Sequence, residues 1–144
     1  MQSLYDNIHA TMFLVLCLVT LFVIHGACTQ FPSDVKNTWK SLTDPYKIEC
    51  LGDSTINLLR FELMAEHAYV TNVRPFGCYL KCIYQKIGVL KTDGEFDFDA
   101  ILSKASYMSE SLTQKCIDEA KDENDGCLKS LIGAKCVVNA LSIP

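Results

Sequence analysis

Apolar side chains recur along most of this chain every three to four residues, the period of an amphipathic helix, and strict strand alternation is hard to find. The segment SDVKNTWKSLT sets Val35, Trp39 and Leu42 at i, i+4 and i+7 behind Ser33 as an N-cap. Pro45 interrupts that pattern, and DPYKIECL is expected to restart a helix with Asp44 as cap and Pro45 in the first position. A second helix follows Ser54 as cap, carries Ile56, Leu59, Leu63 and Met64 on its apolar stripe, and ends before the extended NVRPF. A third runs from about Pro75 to Leu90 and is stopped by KTDGEFD; a fourth starts near Asp97 and holds Phe98, Ile101, Leu102, Ala105 and Met108. The capping box SLTQ, Ser111 to Gln114, opens a fifth that passes through Cys116 to about Glu123. After the turn NDG, a sixth presents Leu128, Leu131, Ile132, Val138 and Leu141 as its apolar face. The pattern predicts an all-α domain of six helices.

The first segment stands apart from that pattern. Residues 13–24 are an apolar run broken only by Thr20, the length of a secretory h-region and too short to span a bilayer comfortably. Small residues follow in HGACTQ, which places a leader over residues 1–28, cleavage between Cys28 and Thr29, and one domain over residues 29–144. The n-region is atypical, having Asp6 and no Lys or Arg, so a signal anchor is the alternative. Cleavage after Cys28 leaves six of the eight cysteines, the even number that suits a secreted chain. From Thr29 onward 16 acidic and 13 basic residues are interspersed, a net charge of −3. With no basic stripe, nucleic acid is not expected as a partner, and a strongly anionic substrate fits as poorly.

Helical geometry constrains how the six cysteines pair. Cys78 and Cys82 lie about 400° of helical rotation apart, so both leave nearly one face and must reach two different partners. Cys127 and Cys136, if on one helix, point to opposite sides with about 13 Å of rise between them, beyond the reach of a disulfide. Crosslinks between helices follow, with the third and sixth helices each stapled twice. Zinc is the competing account of a cysteine pair on a helix. Its structural sites use C-x2-C or Cys/His pairs, and residues 29–144 hold only His67, so no metal is expected.

The order of the six cysteines, three residues between the second and third, eight between the fifth and sixth, and the segment CYLKCIYQKIGVLKTDGEFDF together resemble the insect odorant-binding protein family, the pheromone-binding and general odorant-binding proteins. The resemblance covers nearly all of residues 29–144. It implies a compact, secreted six-helix carrier in extracellular fluid, with an internal apolar cavity and the pairs Cys50–Cys82, Cys78–Cys127 and Cys116–Cys136. It further implies a small hydrophobic molecule as partner, delivery to a membrane receptor and a homodimer as options, and neither cofactor nor catalysis.

Residue by residue, Leu80, Tyr84, Val89, Thr113 and Val137 match pocket positions of that family. Ile87 shares the helical stripe with Leu80 and Tyr84, while Met108 and Leu141 join from periodicity, Met being adaptable to varied apolar ligands. Each of these residues is equally well explained as ordinary core. Tyr84, Thr113 and Gln85 are candidates to bond a ligand oxygen, and burying a chain of about 14 carbons, at roughly 0.8 kcal/mol per methylene, offsets binding costs to leave micromolar affinity. His67 is a candidate pH gate, against the plainer account of a surface histidine beside Glu66. The tail VVNALSIP is too short for a seventh helix, leaving a fold over the pocket as its option. DGEFDFD lacks the ligand spacing of a calcium loop and suits a solvated loop and helix start. A secreted scaffold with a filled cavity and a small secreted hydrolase are the alternatives, although no nucleophile elbow or Cys-flanked catalytic His occurs.

Overall fold

The computed structural model describes Met12 and residues 29–52 and 55–143; the rest of the expected leader, with Cys17 and Cys28, and the Ser54 cap lie outside the described residues. Among residues 29–143 as described, six α-helices follow in order: α1 Ser33–Thr43, α2 Ile56–His67, α3 Arg74–Ile87, α4 Phe98–Lys104, α5 Glu110–Ala120 and α6 Gly126–Leu141. Among the described residues the only β pairing is two isolated antiparallel bridges, Gln30 with Ile143 and Leu90 with Phe96.

Local chemistry explains most boundaries, with shifts from the sequence expectations. In α1, Ser33 is already helical and Pro32 occupies the cap position, its carbonyl accepting from Lys36 N at 3.1 Å. Pro45 has no N–H to continue the ladder, so the chain tightens into two 3-10 turns, Asp44–Tyr46 and Glu49–Leu51, instead of restarting an α-helix. Pro75 sits in the first turn of α3, where its missing donor costs nothing, and Gly88 (φ 77°) closes that helix in the left-handed region. Asp97 caps α4 through Ala100 N (2.9 Å), at the helix start expected near it. The cap of α5 is Ser109, whose Oγ accepts from Leu112 N, so the box expected at Ser111 is displaced by two residues into the helix. Asp125 caps α6 by accepting from Cys127 N and Leu128 N.

The orientation of α2 departs from its apparent stripe. Ile56 and Leu59 are exposed, and the buried face is Asn57, Phe61, Met64 and Ala65. Phe61 decides the rotation, because its ring packs edge-on against Tyr79 (6.0 Å between centroids) and tilted against Trp39 (6.2 Å). Burying that aromatic surface outweighs the smaller gain from Ile56 and Leu59.

The frame is α3 against α6. Gly77 permits the close crossing: a Cβ there would meet the Cys127 carbonyl oxygen at 2.2 Å. Beside it, Cys78 bonds Cys127 (Cα separation 4.2 Å), while Cys82 reaches back to Cys50 and Cys116 to Cys136. The two cysteines of α3 thus serve two neighbours, as do the two of α6. The tail does not fold over as a lid; residues through Leu141 extend α6, and Ile143 pairs with Gln30 through bonds of 2.9 and 3.0 Å.

Candidate ligand-binding site

Where α1, α3, α5 and α6 diverge, they leave an apolar cavity. Its volume is about 70 Å³. Trp39, Leu42 and Thr43 of α1 form one wall, and Tyr84 and Ile87 at the end of α3 another. Val89 and Phe96 enter from the following loop, whose antiparallel bridge between Leu90 and Phe96 folds it back on itself. Ile101 of α4 and Ala105, Tyr107 and Met108 of the connection to α5 close one side; Thr113, Cys116 and Ile117 of α5 and Gly133 and Val137 of α6 complete the lining. No side chain of this set carries a formal charge.

Four aromatic rings dominate the wall. Trp39 stacks on Tyr107 (centroids 6.5 Å, planes 17° apart) and meets Tyr84 edge-on at 6.4 Å; Tyr84 in turn lies 6.1 Å from Phe96. Burial pushes the Tyr84 phenol far above its ordinary pKa, and burial, with a smaller contribution from Tyr84, does the same to Tyr107. Both remain neutral hydroxyls throughout the physiological range. Two polar atoms on lining residues are buried without a hydrogen-bond partner, Trp39 Nε1 and Thr113 Oγ1. Thr43 is satisfied, donating to the Trp39 carbonyl at 2.8 Å.

Of the residues expected at a pocket, Tyr84, Ile87, Val89, Met108, Thr113 and Val137 come together on this lining. Leu80 does not; it is wholly buried one turn earlier on α3, within the central core. Leu141 is half-buried near the end of α6, outside the lining, as is Gln85. Met108 reaches the cavity from the connection after α4, not from the fourth helix, which ends at Lys104. His67 is the exposed last residue of α2 and lies outside the lining. Trp39, Phe96, Tyr107 and Gly133 were not anticipated. Trp39 belongs to a stripe that reads equally as core, and Phe96 and Tyr107 sit in non-helical connections where periodicity is silent.

A second cleft has different chemistry. Lys81, Lys129, Asp93 and Glu95 line it with Thr92 and Asn124, and Lys129 Nζ already donates to Glu95 Oε1 at 2.7 Å. Such a charged lining favours water over an apolar guest.

Residues 33–140 match the model of the PBP/GOBP family. A comparison with curated proteins returns no match.

Proposed function

The chain belongs to the PBP/GOBP family, a family of carriers for small hydrophobic ligands, and on that premise we propose that this protein binds and solubilises odorant-like or pheromone-like molecules in extracellular fluid without chemically altering them. The observation that supports this reading is the uncharged, aromatic-walled cavity, lined from five helices and the loops between them. An apolar molecule transferred there leaves water at roughly 25 cal/mol per Å² of surface removed. The three disulfides suit an oxidising, extracellular setting. Delivery to a membrane receptor and homodimerisation follow from the family resemblance alone.

The test is displacement of a fluorescent naphthylamine probe from purified residues 29–144, paired with native mass spectrometry. Saturable probe binding and a co-purified small molecule support the carrier. Mass spectrometry reports subunit number in the same experiment.

One observation favours a second reading. The open volume is about 70 Å³, roughly half of the ~150 Å³ engineered cavity that holds benzene. A secreted scaffold with a nearly filled interior, acting through its surface, fits that number, and complete failure of probe binding would select it.

A further inference from the structure

Building on the carrier reading, we propose that the cavity selects a compact, uncharged, single-ring molecule bearing one hydrogen-bond-accepting oxygen, in preference to a long alkyl chain, a pure hydrocarbon or a carboxylate.

Size is the first argument. At about 70 Å³ the space must already widen to admit one ring, and a chain of about 14 carbons would require it to grow several-fold. The wall offers limited give. Met108 is flexible and sits in a connection without regular helical structure, whereas α6 is held by Cys78–Cys127 and Cys116–Cys136. Modest widening on the Met108 side fits a ring and does not fit an extended chain.

Shape is the second. Trp39 and Tyr107 lie nearly parallel, while Tyr84 stands edge-on to Trp39. A flat guest presents either face or edge to such a set, geometries that aromatic rings favour over face-to-face sandwiches.

Polarity is the third. Among the described residues three buried side-chain polar atoms have no partner: Trp39 Nε1, Thr113 Oγ1 and Tyr79 Oη. Two of these three residues border this one cavity, and Tyr79 does not. Both atoms lie just behind the wall, so a guest that widens the cavity enough to reach either one would supply its missing partner. Indole N–H can only donate and a threonine hydroxyl can donate, so the common complement is an acceptor oxygen. A carboxylate also accepts, but it would be stripped of water among residues that carry no cation.

The test is calorimetric titration with acetophenone, ethylbenzene, benzoate and tetradecyl acetate, alongside the naphthylamine probe. Acetophenone is expected to bind about tenfold or more tightly than ethylbenzene, since one recovered hydrogen bond of about 1.4 kcal/mol is tenfold. It should also exceed benzoate and tetradecyl acetate. Thr113→Val should narrow the acetophenone-to-ethylbenzene ratio at least threefold, and Thr113→Ser should restore it. Equal affinity for ethylbenzene, tighter binding of benzoate or of tetradecyl acetate, or a ratio unmoved by Thr113→Val overturns the inference and leaves the carrier reading standing. If neither the probe nor any of the four compounds binds, both readings fall.

Discussion

Replacing Gly133 with alanine asks whether α6 sets the size of the cavity. An added methyl at 133 would stand 2.9 Å from Phe96 Cζ and 3.2 Å from Cε2. Comfortable carbon contacts are about 3.5–4.0 Å, so the ring must withdraw by roughly 0.5–1 Å. Its backbone is held by the bridge to Leu90, and its other neighbour is Tyr84 across the cavity lining, so the displaced ring moves at the expense of open space. Removing room for about one methylene from a ligand that fills the site costs about 0.8 kcal/mol, or about a fourfold loss of affinity. Stability should change less than the usual ~1–3 kcal/mol of overpacking, because alanine gains about 1 kcal/mol over glycine inside a helix. Trp39 is the only tryptophan in the chain and lies on the lining, so its emission reports ligand binding directly; urea denaturation supplies the stability control. An affinity within twofold of wild type, with the fold intact, would falsify the idea that Phe96 is pinned between α6 and the cavity.

Three further outcomes are expected. Gly77→Ala should destabilise by about 3 kcal/mol or more in the same denaturation assay, since its methyl would stand 2.2 Å from a backbone carbonyl oxygen beside a disulfide that resists separation of α3 from α6; a loss below 1 kcal/mol contradicts the close crossing. Glu66 accepts from Lys40 and Lys36, and those bonds lower its carboxyl from about 4.5 to about 2. A depressed folded pKa stabilises above the unfolded value and is lost as pH falls, so Glu66→Gln should cost under about 1 kcal/mol at pH 7, screened as a partly exposed pair is, with the gap closing between pH 4.5 and pH 2. A gap that widens on acidification contradicts the assignment. If His67 gated release, binding would weaken from pH 7 to pH 5 and His67→Ala would abolish that difference; from its exposed place outside the lining, we expect wild type and His67→Ala to give superimposable pH profiles.

How much was legible in the sequence follows the physics of each feature. Helix class came through because period 3.6 recurs along the segments, and the inter-helix demand on the cysteines came through because about 13 Å of rise along one helix keeps Cys127 from pairing with Cys136. The rotation of α2 differs from the expected one, although Met64 is buried as expected, since Ile56 and Leu59 give as clean a stripe as Phe61 until Trp39 and Tyr79 are in place to receive the phenyl ring. The cap of α5 lies two residues before the expected one because only Ser111 has a Gln three residues on, whereas Ser109 caps without a box, with Leu112 in that place. At the cavity, Tyr84 and Ile87 could be found from their helical face. Phe96 and Tyr107 could not, because connections carry no period and the approach of Phe96 to Tyr84 and of Tyr107 to Trp39 is a tertiary fact.

The pairing of Gln30 with Ile143 makes residues 30–143 almost a closed ring. A short linker could therefore join these positions with little loop-closure entropy, and new ends could be opened at the exposed Thr92–Asp93 turn. Such a permuted chain would present its cysteines in a different order, beginning with Cys116 and ending with Cys82. If the same three disulfides formed, their pairing would be shown to belong to the folded arrangement of helices, independent of the order in which the thiols emerge during synthesis.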